Sequence, residues 1–425
     1  MTAVEELNET HRVEARYDLQ PEHCFKCGVV GELYRHGTLE QGVNDTPHSG
    51  KPVLIALTRQ RYRCRACGGT FLQPVEDIDE HRLATRRLVQ YVERQVLRRT
   101  FVSVASEVGI SEGTARNIFR DFAARLEAQH VFQAPELLGI DELHLRGQAR
   151  CIMTNLKAHQ VVDFLETRSK LAVYNALRRL VGRDHVEVVA MDMYRPYKSA
   201  VRAALPHAVV VVDKFHVVKL ATQALDGFRR LLGKGLSVRQ RRHVMRRRGL
   251  LIKRPWNLTD EERLQVAEWT AQLPELGVAY ELKERFFGMY DATTVSDAKQ
   301  LLDAWRAAVT PEMETVFREV LSATKNWEPE ILNYFATGGV TNAYTEAANN
   351  QIRVQDRAGR GYSFEVIRVK ALFAHGQHTP RAARKTLNIM RIEKNLARRM
   401  ADVRVYAGVP YSTFVEELTD HDGAS

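Results

Sequence analysis

The chain has 425 residues, of which 44% are hydrophobic, and its formal net charge is +10. This length predicts roughly two to four domains with large cores, whereas the apolar stretches are too short to span a membrane and the acidic N-terminus lacks the basic-then-apolar order of a signal peptide. We therefore expect a cytoplasmic protein without a membrane partner, and the positive charge favours nucleic acid as its partner.

Four of the five cysteines form two CxxC pairs near the N-terminus, namely Cys24, Cys27, Cys64 and Cys67. Tight turns, each eased by the glycine that follows, can aim four thiolates at one tetrahedral ion. The alternative is a redox dithiol pair, which would need a thioredoxin-like βαβ context, whereas residues 53–58 and 60–64 suggest short strands. We predict a structural zinc site in a zinc ribbon over residues 20–75.

Residues 100–129 have the periodicity of two helices joined by a sharp turn. The first helix has one apolar face, formed by Phe101, Val104, Ala105 and Val108. Gly109 permits the turn and Ser111 can cap the second helix, which predicts a helix-turn-helix. The side chains expected to face a DNA groove or phosphates are Glu112, Gly113, Arg116, Asn117 and Arg120. Plain helical packing is the alternative, because many three-helix units share this periodicity.

From residue 136 to 220, strands and helices alternate. LLGIDELHL, ARCIMTNLKA and QVVDFLETR read as three strands, followed by the helix LAVYNALRRLV, the strand VEVVAMD, a helix over 198–204 and the strand AVVVVDKFH. This order resembles the ribonuclease H-like fold, whose central parallel pair is formed by the first and fourth strands. Ligands of open α/β sheets bind beyond the carboxyl ends of the strands.

Residues 216–335 carry helical signals only, including a capping box at Thr259 and Glu262, so we expect an all-α insertion. After it, a polar helix carries Glu346. A loop at residues 359–362 then precedes a further helix, which we expect to stop at Gly376.

Three acidic residues, Asp141, Asp192 and Glu346, stand where a metal-dependent nuclease needs them. Phosphodiester cleavage uses two metal ions about 3.5–4 Å apart. Magnesium prefers oxygen ligands, so clustered carboxylates are sufficient to hold such a pair. Three acids from two neighbouring strands and one helix are therefore adequate for this chemistry.

Other acids, Glu142, Asp213 and Glu330, compete for these roles. Successive side chains of a strand point to opposite faces, so Asp141 and Glu142 cannot both face one site, and the residues alone leave the choice between them open. Asp192 is favoured over Asp213 because the fourth strand of a ribonuclease H-like sheet lies beside the first, whereas the fifth lies farther out.

Polar residues near these acids suggest supporting roles. Asp213 and His216 lie together at the end of the fifth strand, where a carboxylate would favour a protonated histidine that can touch a DNA phosphate; a local hydrogen bond is the alternative. On the helix of Glu346, Asn342 could orient the carboxylate or contact DNA, and Arg353 could reach a phosphate. A solvated helix face would also explain that spacing.

Basic residues cluster in two segments. Residues 229–254 contain eleven Lys or Arg and no acid, and residues 381–404 contain eight against two acids. Either segment could be a solvated helix face, but two such segments favour phosphate contacts. The DNA-contacting candidates in the first segment are Arg241, Arg242, Arg246, Arg247 and Arg248.

Together these features resemble the ISL-three-type insertion-sequence transposases over nearly the whole chain. The resemblance is carried by the CxxC pairs, the helix-turn-helix, GIDELHLRG, MDMYRPYKSAVRAALPHAVVVVDKFHVVK and TNAYTEAANNQIR. It implies a DDE transposase that binds the terminal inverted repeats of its own element and target DNA, both double-stranded, and performs cleavage and strand transfer. It also chooses Asp141 over Glu142, and implies Asp141, Asp192 and Glu346 as ligands of two Mg²⁺ or Mn²⁺ ions, besides the structural Zn²⁺.

The expected fold class is multidomain α/β. We expect a zinc-ribbon domain (1–78), a helix-turn-helix domain (79–132), a ribonuclease H-like core in two parts (133–220 and 337–405), an all-α insertion (221–336) and a C-terminal tail (406–425). Recombinases act on two DNA ends, so a homodimer or higher assembly on DNA, associated with the bacterial nucleoid, is expected. The alternatives are a transposase-derived DNA-binding regulator without catalytic activity and a different nuclease, such as one that resolves DNA junctions.

Overall fold

The computed structural model describes residues 3–6, 9–235 and 248–374. Four of the candidate DNA-contacting arginines, Arg241, Arg242, Arg246 and Arg247, therefore lie outside the described residues, as do the basic segment 381–404 and the C-terminal tail. No helix in the described ranges is long and apolar enough to cross a membrane.

The N-terminal part of the described chain forms a seven-stranded sheet. Its strands are β1 (Ala3–Glu6), β2 (His11–Tyr17), β3 (Leu33–His48), β4 (Lys51–Cys64), β5 (Thr70–Leu72), β6 (Ile78–Asp79) and β7 (Ala84–Thr85). The order is β1-β2-β4-β3-β7-β6, with β5 paired to β4. Ser49 and Gly50, both at positive φ, join β3 and β4 as a two-residue hairpin turn requires.

The expectation of two separate strands over residues 53–58 and 60–64 is wrong, because β4 runs through both. Arg59, the residue between them, is only 1% exposed. Its guanidinium donates hydrogen bonds to the Gln73 carbonyl and to the Glu80 carboxylate. Because the Arg59 guanidinium has hydrogen-bond partners next to the sheet, the residue can be buried without interrupting the strand.

Three helices follow: α1 (Arg86–Val96), α2 (Phe101–Val108) and α3 (Glu112–Gln129). The turn between α2 and α3 has the predicted form, because Gly109 adopts a φ of 73° and the Ser111 side chain accepts a hydrogen bond from the Thr114 amide. The four predicted apolar residues of α2 are buried. The helix-turn-helix geometry is therefore present in α2 and α3.

A second sheet has five strands. Its strands are β8 (Leu137–Leu145), β9 (Gln148–Asn155), β10 (Gln160–Leu165), β11 (Val188–Met191) and β12 (Val209–Val212), joined by α4 (Lys170–Arg179) and α5 (Arg195–Ala204). The order is β10-β9-β8-β11-β12. The pairs β8–β11 and β11–β12 are parallel, whereas β8–β9 and β9–β10 are antiparallel.

The fifth strand of this sheet is shorter than expected. β12 ends at Val212, opposite Met191, and not at His216. Beyond Val212 the chain has no parallel partner to continue the ladder, so Asp213 becomes the N-cap of α6 (Lys214–Leu232). His216 therefore lies on the first turn of a helix rather than on a strand.

Between β12 and Glu346, the described regular elements are helices. They are α6, α7 (Gly249–Ile252), α8 (Asp260–Gln272), α9 (Pro274–Gly288), α10 (Val295–Ala308), α11 (Pro311–Glu314), α12 (Arg318–Asn326) and α13 (Glu328–Ala336), with short 3₁₀ helices at Pro255–Asn257 and Met289–Asp291. The predicted capping box of Thr259 and Glu262 begins α8. This helical part joins the sheet where the Asn333 side chain donates a 2.9 Å hydrogen bond to the Val210 carbonyl.

Two helices complete the described chain: α14 (Ala343–Gly359) and α15 (Phe364–Phe373). Helix α15 ends at Phe373, and the expected end at Gly376 lies outside the described residues. Leu143, Ile152 and Ile352 belong to one buried cluster that connects β8, β9 and α14 to the helix-turn-helix. The Lys370 ammonium strengthens this connection by donating a 2.9 Å hydrogen bond to the Arg99 carbonyl, just before α2.

Candidate active site and zinc site

Asp141 lies where β8 loses a neighbouring strand. The parallel pairing with β11 ends at the pair of Ile140 and Met191. Asp141, the next residue, is 4% exposed and faces α14. Its carboxylate accepts a 2.7 Å hydrogen bond from Asn349 Nδ2 and another, also 2.7 Å, from the Glu142 amide. The side chain is therefore fixed from both the strand and the helix.

The expectation that Asp141 and Glu142 cannot both face one site is wrong in one respect. Both residues border the same cavity. Beyond Ile140, β8 has no strand beside it on the β11 side, so side chains from both of its faces reach the open space. Glu142 pairs with Arg168 and, at 2.9 Å, with His144.

Asp192 directly follows β11, as predicted, and the His216 side chain lies between the Asp192 and Asp213 carboxylates. The His216 Nδ1 atom lies 2.9 Å from Asp192 Oδ1 and 3.3 Å from Asp213 Oδ2. Asp213 is buried, and its Oδ1 atom accepts a 3.2 Å hydrogen bond from the Asn342 amide. Asp213 thus connects the end of β12 to the start of α14, while Asp192 lies nearer the cavity.

A close approach between β8 and α14 positions Glu346. The Asn342 side chain is completely buried, and its Nδ2 atom donates a 3.0 Å hydrogen bond to the Ile140 carbonyl. Its Oδ1 atom accepts a hydrogen bond from the Thr345 hydroxyl. Gly139 allows this approach, because a Cβ there would overlap these two side chains and Thr154.

This arrangement corrects the interpretation of Asn342. The residue is buried, so it cannot contact DNA, and both of its side-chain polar groups are engaged by neighbours other than the Glu346 carboxylate. Asn342 acts on Glu346 only indirectly, by fixing the first turn of the helix that carries it.

The three predicted acids border one cavity of about 490 Å³. Its lining residues are Asp141, Glu142, His144, Asp192, Phe215, His216, Lys219, Glu346, Asn349, Asn350 and Arg353. Arg353 donates a 2.9 Å hydrogen bond to the Asn350 side chain. Glu330, a competing acid, lies elsewhere: it is 2% exposed and pairs with Lys198 and Arg202.

Three residues of the cavity, His144, Phe215 and Lys219, were not found from the sequence. Phe215 and Lys219 were missed for the same reason. Both lie on the first turns of α6. The fifth strand was expected to run to His216, whereas the helix already begins at Lys214. In a helix, the spacing of three residues places His216 and Lys219 on the same face. A helix predicted to begin at Lys214 would have included both Phe215 and Lys219 near the site.

Burial and like charges make the cluster unfavourable for free carboxylates. Burial, and secondly the neighbouring Asp192 carboxylate, raise the pKa of Asp141. Burial, and secondly Asp213, raise the pKa of Glu346. Burial alone would lower the pKa of His216, but its hydrogen bonds to Asp192 and Asp213 outweigh this effect and raise it to about 10. A nearby positive charge is therefore favourable at this site.

The donor set at the cavity fits a hard divalent cation. Ligand atoms of Asp141, Asp192 and His216 lie within 4.8 Å of one another, as do those of Asp213, His216 and Glu346. The Asn349 Oδ1 atom borders this cluster and is buried without a hydrogen-bond partner among the described residues. Several carboxylate and amide oxygens beside an open cavity are the ligands that Mg²⁺ prefers.

The four predicted zinc ligands also come together. All four sulfur atoms lie within 4.8 Å of one another, and the Cys24–Cys67 and Cys27–Cys64 pairs are each separated by 3.8 Å. Tetrahedral zinc with Zn–S bonds of about 2.3 Å places its sulfur ligands about 3.8 Å apart. The geometry of this cluster therefore fits one structural zinc ion.

The side chains predicted to face DNA differ in their contacts with the rest of the protein. Arg116, Asn117 and Arg120 are exposed on α3. Arg116 also pairs with Glu112 and lies 4.9 Å from the centre of the Phe101 ring.

The arginines in the described part of the first basic segment differ in whether they can bind phosphate. Arg248 is exposed. Arg229, in contrast, is buried and pairs with Asp226. Arg254 pairs with Asp291 at 2.5 Å. These two arginines therefore do not belong to a phosphate-binding surface.

Comparison with known proteins places these sites in a family. A DDE-type family model of ISL3, described as "Transposase", matches residues 138–371, more than half of the chain, from β8 to α15. The chain belongs to the ISL3 family of DDE transposases. The helix-turn-helix domain of transposase family ISL3 matches residues 73–123 of this transposase, and the zinc-finger of transposase IS204/IS1001/IS1096/IS1165 matches residues 20–67. The predicted family and its three kinds of domain are confirmed.

Individual relatives carry the same description. The transposase for insertion sequence element IS1001 of Bordetella parapertussis is 23% identical over 365 residues, which cover 82% of this transposase and 88% of the relative. The transposase for insertion sequence element IS1557 of Mycobacterium tuberculosis is 28% identical over 221 residues, which cover 46% of this chain and 48% of the relative. The first similarity covers more than four fifths of both chains.

Proposed function

We propose that this DDE transposase binds the terminal inverted repeats of an insertion sequence and performs Mg²⁺-dependent DNA cleavage and strand transfer. The proposal is supported mainly by one observation: the side chains of Asp141, Asp192 and Glu346 line the same cavity. They come from two parallel strands and one helix, although the helical part of the chain separates the last two. Mn²⁺ would serve in place of Mg²⁺.

The proposed fold of the catalytic part is ribonuclease H-like. In support, the sheet order β10-β9-β8-β11-β12 makes the first and fourth strands of this sheet a parallel central pair. The proposed core comprises residues 133–220 and 337–405, interrupted by an all-α insertion at 221–336. The zinc-ribbon domain would span residues 1–78, the helix-turn-helix domain residues 79–132 and the tail residues 406–425.

The proposed roles follow from the contacts. When bound, two divalent ions would supply charge stabilisation to the attacking and leaving oxygens of the phosphodiester. Asp141, Asp192 and Glu346 would hold these ions. Asn349 would keep the Asp141 carboxylate oriented through its 2.7 Å hydrogen bond. His216, positively charged between Asp192 and Asp213, would balance the negative charge of the cluster.

DNA recognition would be divided among several surfaces. Arg116, Asn117 and Arg120 on α3 would contact the element end, and Arg353 would hold a phosphate at the cavity. Arg248 and the basic residues that precede it would add contacts to the DNA backbone. The Cys24 cluster would hold a structural Zn²⁺ ion that keeps the N-terminal module folded. Two ends must be processed together, so we propose a homodimer or larger assembly on DNA.

The test is to map nicks on DNA that carries the sequence flanking the gene. Wild-type protein with Mg²⁺ should cut at the element end, and the Asp141→Asn, Asp192→Asn and Glu346→Gln variants should bind the same DNA without cutting it. Asp184→Asn is a matched control, because Asp184 is an exposed acid of the same domain. Full cutting by any of the three variants would refute its assignment, and specific binding by wild type without cutting would favour a regulator.

A further inference from the structure

One side chain of the catalytic cavity does not match the others. Among the described residues that line the cavity, Phe215 is the single apolar one, and the others carry acidic, basic or amide groups. Its side chain is 52% exposed, although it lies next to His216 at the centre of the acidic cluster. Isolated exposed apolar residues are common on protein surfaces. An exposed aromatic ring at the mouth of a polar cavity needs a different explanation.

Two polar side chains flank the ring without covering it. The His216 ring meets it edge-on, with a distance of 5.7 Å between the ring centres. The Lys219 ammonium, one helical turn further along α6, lies 6.0 Å from the ring centre. Surfaces that bind single-stranded nucleic acid combine aromatic rings, on which bases stack, with positive charges that attract the phosphates. Phe215 and Lys219 provide one of each.

The exposed ring of Phe215 sets what it can contact on DNA. The cavity beside it has a volume of about 490 Å³, within the range of roughly 300–1,000 Å³ that is typical of sites for small molecules. This space is sufficient for one nucleotide. In a DNA duplex each base is stacked between its neighbours, so its flat faces are covered. A base can therefore stack on Phe215 only if its nucleotide has left the base stack.

We propose that Phe215 stacks on the unpaired base of the nucleotide beside the scissile phosphate, with Lys219 attracting the neighbouring phosphate. This inference rests on the proposed function. The substrate at this site is then DNA with one opened base pair, and stacking on Phe215 offsets the free energy of opening it. Phe215 is a positioning residue for the scissile strand, and it takes no part in metal binding.

The test compares cutting rates on three DNA substrates that carry the element end. One is fully paired, and each of the other two lacks the base of a nucleotide beside the scissile phosphate, on one side of that phosphate or on the other. Phe215→Ala should cut the paired DNA on the order of 10-fold more slowly than wild type, because a stacked base is lost. On the abasic DNA that lacks the stacking base, the two proteins should cut at similar rates. Phe215→Tyr keeps an aromatic ring and should retain the wild-type rate on paired DNA.

Leu264→Ala is the matched control, because Leu264 is an exposed apolar residue, 72% exposed, on α8. It should behave as wild type on both substrates. Equal cutting of paired DNA by Phe215→Ala and wild type would overturn the inference while the proposed function stands. An undiminished defect on every abasic substrate would also overturn it, as would a loss of melting temperature larger than that of Leu264→Ala, which would assign the ring to protein packing. Failure of wild type to cut either substrate would instead refute the proposed function.

Discussion

Replacing Gly139 with alanine is expected to disable cutting without altering any proposed metal ligand. The new Cβ atom would lie 2.6 Å from Thr154 Oγ1, and closer still to Asn342 Oδ1 and Thr345 Oγ1. A C···O contact needs roughly 3.3 Å, so α14 would have to move from the sheet by about 0.7 Å or more. Such crowding destabilises a protein by roughly 1–3 kcal/mol. A displacement of about 1 Å near reacting groups can slow a reaction about 100-fold.

The assay measures the rate of cutting at the element end with saturating Mg²⁺, together with the melting temperature and the affinity for the same DNA. We expect Gly139→Ala to lose roughly 10- to 100-fold in cutting rate and to keep its DNA affinity, which depends on other surfaces. Gly227→Ala is the control, because a Cβ at Gly227 of α6 meets no heavy atom within 4 Å. Wild-type cutting by Gly139→Ala, with an unchanged melting temperature, would refute the positioning of Glu346 by this close approach.

Three further predictions concern other parts of the chain. Asn349→Ala removes a hydrogen bond to Asp141, so half-maximal cutting should require about 10-fold more Mg²⁺; an unchanged requirement would contradict this role. Cys24→Ser should purify without zinc and bind the element end weakly, whereas Cys151→Ala should keep its zinc, as metal analysis can check. Burial lowers the pKa of Lys370 from 10.5 to about 8, so the unfolded chain binds more protons between these pH values. The free energy of unfolding should therefore rise with pH across this window, and Lys370→Met should lack that rise in urea titrations.

The positions of Asp141 and Asp192 could be predicted because both follow local rules. Each acid comes at or near the end of a β-branched, apolar run, and the parallel pairing of those two runs brings their ends to one edge of the sheet. Glu346 was predictable as part of a polar helix. The distances among these residues are set by pairing over long sequence separations, which no local pattern records.

The errors have a common physical origin. The end of β12 at Val212 depends on where its partner β11 stops, and this is a contact between separate segments. The strand-like string VVVVDKFHVVK therefore concealed the helix that carries Phe215 and Lys219. Asn342 has the polarity of an exposed residue, and its burial depends on a glycine about two hundred positions earlier in the chain.

The first basic segment, residues 229–254, shows that a count of charges does not identify the arginines that can bind phosphate. The segment contains no acid when it is counted from Arg229, yet Asp226 lies one helical turn before it and pairs with Arg229. Arg254 forms an ion pair with Asp291, which lies in a different part of the helical region. The net charge of a segment therefore predicts an electrostatic field, but it does not say which side chains remain free to bind phosphate.

The most direct test of the central claim is a change of metal preference at Asp192. A thiolate is a softer ligand than a carboxylate and binds Mg²⁺ poorly. If Asp192 holds a metal ion, Asp192→Cys should not cut the element end with Mg²⁺ and should recover cutting with Mn²⁺ or Zn²⁺. Asp213→Cys, at the competing acid, should show no such recovery. Cutting by Asp192→Cys with Mg²⁺, or a metal switch at Asp213 instead, would contradict the proposed site.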